Sequence, residues 1–183
     1  VNLFNGPDGA MYVVDMHRGI IQHGAYMTPY LRKHLEKKGL DKIIGMGRIL
    51  KITNEAQGVH KIPEINNAST NELIDLLSHK NGWVRDRAQH TLILKSGEKD
   101  KTALETVALN TEKPIAQMHA LHTLNGLDLL TFDLLTKVAE SSSAGVTAHA
   151  LLLLESSDSD EEVEAIFHLS TLLMGKKDPT IDL

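Results

Sequence analysis

Two stretches of this chain repeat one another: Ala88-Gln-His-Thr-Leu92 and Ala120-Leu-His-Thr-Leu124 share four of five letters at an offset of 32 residues. A third copy, His149-Ala-Leu-Leu-Leu-Leu154, matches His119-Ala-Leu at an offset of 30. Each copy follows a shorter amphipathic stretch, at 71–78, 101–109 and 131–139. The unit is therefore helix, turn, helix. One such pair cannot bury its own apolar face, so a chain built on it must stack its pairs, and three is near the minimum that does so stably.

Repeats of two helices at about this period are the mark of a HEAT-like α-α superhelix, an α-solenoid of the armadillo-like kind, although 30–32 residues is shorter than the usual period of about 40–47. Local signals mark where the helices begin. Ser69-x-x-Glu72 is a capping box, in which the serine takes an orphan amide and the glutamate reaches back to the serine amide. Leu73, Ile74, Leu76 and Leu77 then form one apolar face. A seventh helix that closes the array is expected over 160–173, capped by Ser159-x-x-Glu162, with carboxylates at the end that the helix dipole favours. The acidic string 155–162 reads as an inter-helix loop plus that cap, since it lacks the glycine and distal glutamate of a calcium loop.

The opening of the chain follows a different rule. Asn5-Gly6-Pro7-Asp8-Gly9 is dense turn chemistry between strands, and 10–15 and 47–53 read as short strands rich in Val, Ile and Tyr. Between them a helix is expected. Thr28 caps it, Pro29 sits where no donor is needed, Leu31 and Leu35 make an i, i+4 pair, and Gly39 suits the position after the cap. Residues 57–68, with Gly, Pro and two Asn, show no period and read as a linker. The expected division is 1–56, linker 57–68, and helical repeats 69–183.

Composition excludes several chemistries. The 183 residues contain no cysteine, which removes disulfides, thiolate nucleophiles, cysteine-ligated metals and haem attachment through C-x-x-C-H. Trp83, three tyrosines and three phenylalanines are little material for stacking platforms. Residues 1–62 carry nine Lys/Arg against five Asp/Glu, whereas 63–183 carry ten against nineteen. An acidic helical part argues against a nucleic-acid partner, which is bound by clustered positive charge. No apolar run is long enough to span a membrane, and no basic stretch leads into an apolar one at the start. Opening on Val1 rather than Met, the chain reads as a processed chain or as a piece cut from something longer.

Three stretches resemble a known family as a set: GPDGAMYVVDMHRGII (6–21), LEKKGLDKIIGMGRILKI (35–52) and NGWVRDRAQHTL (81–92). They are similar to bacterial membrane-bound dehydrogenase-like proteins, in which a glucose/sorbosone dehydrogenase-like β-propeller is followed by HEAT repeats and often by a cytochrome c domain. The resemblance implies a mainly α chain with a short N-terminal β segment left from the last propeller blade. It further implies a parent oxidoreductase acting on a sugar or alcohol, with pyrroloquinoline quinone, calcium and haem c bound outside this segment, in an extracytoplasmic or periplasmic setting. Implied partners are the protein's own propeller, a cytochrome domain or a redox partner. A propeller needs several four-stranded blades, so no catalytic role passes to any position here, and the segment alone is expected to be inactive. The alternative is a non-enzymatic HEAT-repeat scaffold for protein–protein interaction.

Few residues carry candidate chemistry. Asp15, His17, Arg18 and His23 are the densest polar group and suit an anionic substrate or quinone carboxylate; the plainer reading is that Asp15 and Arg18 tie the strand end together. His119 and His122 share one helix face, a spacing that metals use, but no third ligand lies at a matching interval and His122 repeats His90, so no metal site is expected. Trp83, Arg85, Asp86 and Arg87 are the expected repeat ladder: the resemblance implies that Asp86 with Arg85 or Arg87 joins adjacent repeats. The basic stretch Arg32, Lys33, His34, Lys37 and Lys38 reads as a solvated helix face. There is no G-x-S-x-G elbow, H-E-x-x-H, P-loop or G-x-G-x-x-G.

Overall fold

The computed structural model describes residues 2–21, 23–56, 58, 61–154 and 160–175. The chain is mostly helical, with a small antiparallel sheet at its start. It divides into two compact units, Val1–Ile62 and Pro63–Leu183.

In the first unit β1 (Asn2–Asn5), β2 (Met11–Asp15) and β3 (Arg48–Ile52) form a three-stranded sheet in the order β1-β2-β3. The turn between β1 and β2 is closed by Gly9 N donating to Gly6 O (3.1 Å) and Gly6 N to Ala10 O (2.8 Å). Two glycines are needed there. Gly9 has φ +79°, and a Cβ on Gly6 would stand 2.2 Å from the Tyr12 ring, so neither tolerates a side chain. Asp8 is buried in this turn and accepts from Ala10 N, from Tyr12 Oη and from Lys51 Nζ on β3. Those bonds, with that to Lys51 foremost, lower its pKa to about 2, because each favours the charged form.

Residues paired across an antiparallel sheet lie on the same face. Leu3, Val13 and Leu50 are opposite one another, as are Asn5, Met11 and Ile52; the other face carries Phe4 and Tyr12, with Val14 and Ile49. Both faces carry apolar side chains among polar ones, Asn5, Asp15 and Arg48 on one and Asn2 and Lys51 on the other, and these apolar residues are open: Leu3 is 64% and Leu50 43% exposed on one face, Phe4 54% and Ile49 68% on the other. The inserted helix α1 (Pro29–Lys37) is capped by Thr28 Oγ1 accepting from Leu31 N. It ends in a Schellman motif, with Gly39 (φ +65°) donating to Glu36 O and Leu40 N to Leu35 O, as its Thr-Pro start and Gly end suggest. Its basic residues are exposed.

The second unit contains α2 (Thr70–Leu76), α3 (Gly82–Lys95), α4 (Lys101–Ala108), α5 (Pro114–Gly126), α6 (Phe132–Ser141), α7 (Ala144–Leu154) and α8 (Asp160–Gly175). α2 packs on α3, α4 on α5 and α6 on α7; among these pairs the second helices α3, α5 and α7 lie side by side, and α8 rests against α6 and α7. The core runs in columns along the second helices. Val84, Ala116 and Val146 are buried, then Ala88, Ala120 and Ala150, then Leu92, Leu124 and Leu154. These positions are four residues apart within each helix, one stripe at helical spacing, and the repeated alanines therefore occupy equivalent places. Small side chains in the middle column allow close approach. Gly126 extends this, since a Cβ there would meet Ile93 at 2.7 Å.

The Ser69–Glu72 capping box forms as expected, with Ser69 N donating to Glu72 Oε2 (2.8 Å) and Glu72 N to Ser69 Oγ (3.4 Å). The expected cap at Ser159 and most of the acidic string lie outside the described residues. Part of the stretch read as linker is folded: Ile65 is buried in the helical core, and Lys95 Nζ donates to Asn66 O (2.6 Å). The few apolar side chains of that run fall among polar residues with no helical or strand period, which is why the sequence hides it. No described helix is long and apolar enough to cross a membrane.

Candidate functional site

In the first unit, the end of β2 opens on a cleft of about 410 Å³ lined by Asp15, Met16, His17, Arg18, Gly19, Ile21, Leu40 and Ile43. The chain reverses at His17, whose φ is +42°, a conformation uncommon for a residue with a side chain. Asp15 holds that turn: its carboxylate accepts from His17 N and from Arg48 Nε, both at 2.9 Å. The two bonds, the backbone one first, lower its pKa, so it is a poor proton acceptor. Gly19 brings the floor close, because a Cβ there would stand 2.5 Å from Leu40 Cβ.

The structure thus gathers Asp15, His17 and Arg18 and leaves His23 out of the lining. His23 instead caps the short 3₁₀ turn Gly24–Tyr26, its Nδ1 accepting from Ala25 N. The cation paired with Asp15 is Arg48, 33 residues away, and not Arg18. Arg18 is exposed and lines the cleft together with Asp15, His17 and the apolar Met16, Ile21, Leu40 and Ile43.

The second unit has a polar seam where α3, α5 and α7 meet. Arg85 donates through Nη1 to His79 O (2.8 Å) and Lys80 O (3.2 Å), in the turn after α2, and through Nε to His119 Nε2 (3.2 Å) on α5. His119 Nε2 is therefore the acceptor of a neutral ring, and its Nδ1–H donates to Gln89 Oε1 (2.7 Å). Burial, then the Arg85 charge, holds the His119 pKa below its ordinary value. His122 Nε2 and His149 Nδ1 are 3.1 Å apart in an edge-to-face pair, and burial, then the second ring, lowers His122 likewise. The two histidines that share a helix face thus engage different neighbours. Among the described residues no group of three or more His, Asp or Glu is arranged to hold a metal.

Of the expected ladder residues, Arg85 alone makes the hydrogen bond to the next pair. Arg87 lies over the Trp83 ring at 6.0 Å, a cation–π contact, and Trp83 packs partly buried against the core. Asp86 is exposed and acts on His119 through its charge, with no ion pair to an arginine among the described residues.

The sequence reading missed the rest of the ladder. Gln117 and Thr147 stand 32 and 30 residues on from their predecessors, Arg85 and Gln117, the same offsets as the alanines. Gln117 Nε2 donates to Ala108 O at the end of α4 and to Ser142 Oγ, both at 2.9 Å, and Thr147 Oγ1 donates to Ala139 O on α6 (2.9 Å). In all three pairs, one side chain of the second helix thus reaches back to a carbonyl at the end of the first or in the turn after it. Aligning by offset instead of by letter identity would have found it.

Residues 1–56, which hold the sheet and α1, match the model of a family described as a domain of unknown function (DUF7133). No curated protein and no solved structure matches the chain.

Proposed function

We propose that this chain is the C-terminal part of a quinoprotein dehydrogenase-like protein that oxidises a sugar or alcohol. In this reading the sheet is the end of the last β-propeller blade, and the helical unit is a HEAT-like α-solenoid. The solenoid docks or spaces the propeller relative to a cytochrome domain or redox partner and has no active site of its own. Quinone, calcium and haem belong elsewhere in the parent, in an extracytoplasmic compartment.

The observation that carries this reading is the set of open apolar side chains on both faces of the sheet. A sheet with one wet side alternates apolar and polar residues; here Leu3, Met11, Leu50 and Ile52 are open on one face and Phe4, Val14 and Ile49 on the other. Such a sheet is suited to lie between two others, as a propeller blade does. The occupied carboxylate of Asp15 supports the view that the chemistry lies in the rest of the parent. Equivalent Ala88, Ala120 and Ala150 columns support the repeat reading.

The test has two parts. Assayed with pyrroloquinoline quinone, calcium and aldose sugars, the 183-residue chain is expected to show no turnover, and turnover sinks the claim that the chemistry lies upstream. The gene before Val1 is expected to encode several further blades with P-D-G-x-x-Y-V-like repeats; unrelated sequence there favours the free-standing scaffold instead.

A further inference from the structure

The first helices of the three pairs share a pattern, apolar at i, i+3 and i+4: Leu73, Leu76 and Leu77 at α2, Leu104, Val107 and Ala108 on α4, Leu135, Val138 and Ala139 on α6. The i and i+4 residues are buried in all three, under a second helix in each case. α8 repeats the pattern as Val163, Ile166 and Phe167. Ile166 packs against the core, as Leu76 and Val107 do. Yet Val163 is 57% and Phe167 76% exposed. The open positions on α8 are the ones that the following helix covers in every preceding pair.

We infer that α8 is the first half of a fourth pair and an acceptor for one further helix, supplied by the parent polypeptide beyond residue 183. The inference rests on the reading of this chain as a segment of a longer protein. The chemistry of the occupant follows from the helices already in that role. It presents a small or medium apolar residue, then alanine, then leucine at four-residue spacing, as Val84, Ala88 and Leu92 do on α3, and Val146, Ala150 and Leu154 on α7. A bare apolar outer face is also what the end of a helical stack cannot leave in water, since terminal repeats need a polar outer side.

The experiment appends a copy of residues 142–154 behind Leu183 in the full chain and follows amide hydrogen exchange. The α8 amides are expected to exchange about tenfold more slowly than in the unextended chain, and Phe167→Glu in the extended chain is expected to abolish the gain. Unchanged α8 exchange overturns the inference. So does α8 protection in the unextended chain that grows with protein concentration and vanishes in Phe167→Glu, because the occupant is then a second copy. The same data separate the two readings: if α2, α4 and α6 also exchange freely, the stack itself fails, whereas if they are protected and α8 alone gains nothing, only the fourth pair fails.

Discussion

The two units spend similar side chains in opposite ways. The helical unit buries Leu92, Leu104, Leu121 and Leu124 completely, while the sheet leaves Leu3, Ile49, Leu50 and Ile52 open. Hydrophobic periodicity creates a face in either case; whether the face becomes a core depends on what stands opposite it. A helix pair carries its own opposite wall a few residues along the chain. A three-stranded sheet with apolar residues on both faces does not, and its local order rests more on polar ties: Asp8 with Lys51, and Asp15 with Arg48.

That contrast can be broken most directly by cutting side chains from each unit. Leu124→Ala is expected to destabilise the helical unit by about 2–5 kcal/mol, as transfer and cavity costs combine at a fully buried site, read by urea denaturation of the helical signal. Leu50→Ala should change the stability of this chain by less than about 0.5 kcal/mol; an equal loss at both sites would erase the distinction. Next in size, Gln117→Ala removes the donor to Ala108 O and Ser142 Oγ. It should cost about 1–3 kcal/mol, because a buried carbonyl loses its partner. A loss no larger than that of an exposed control such as His90→Ala would show that the ladder is incidental.

The smallest and sharpest test is pH. His119 and His122 have folded pKa values below their unfolded value, so the unfolded chain binds more protons as the solution acidifies. Their contribution is complete above the unfolded pKa of about 6.5 and declines as pH falls toward the folded values. Asp8 behaves the same way in direction but lower in range. With a folded pKa of about 2, its contribution is full above about pH 4 and is lost as pH falls toward 2. Denaturation measured in pH steps should therefore weaken the helical unit first, and His119→Gln with His122→Gln should flatten its dependence as pH falls below about 6.5. A helical unit insensitive to pH in that range would remove the seam from the account.

Much of this was legible in the sequence because its determinants are local. Ser69 and Glu72 are three apart, Thr28 and Gly39 bracket one helix, and the Ala88 and Ala120 copies announce themselves by identity. Asp15 shows the limit: its neighbour in sequence is Arg18, but its partner is Arg48, which only the β2–β3 register brings near. The same register places Lys51 on Asp8. Ile65 sits in a run with no period, and Gln117 and Thr147 were invisible because they keep a role while changing their letters.

That last feature bears on how such a stack changes over evolutionary time. The donors in the ladder are a guanidinium, an amide and a hydroxyl, but every residue reached in the preceding helix or its turn accepts through its main chain. A peptide carbonyl is present whatever residue supplies it, so substitutions in the accepting segment leave the tether intact, and the donor can be exchanged for any group of suitable length. The tie between the two helices of each pair can thus outlast recognisable kinship between the sequences of the pairs.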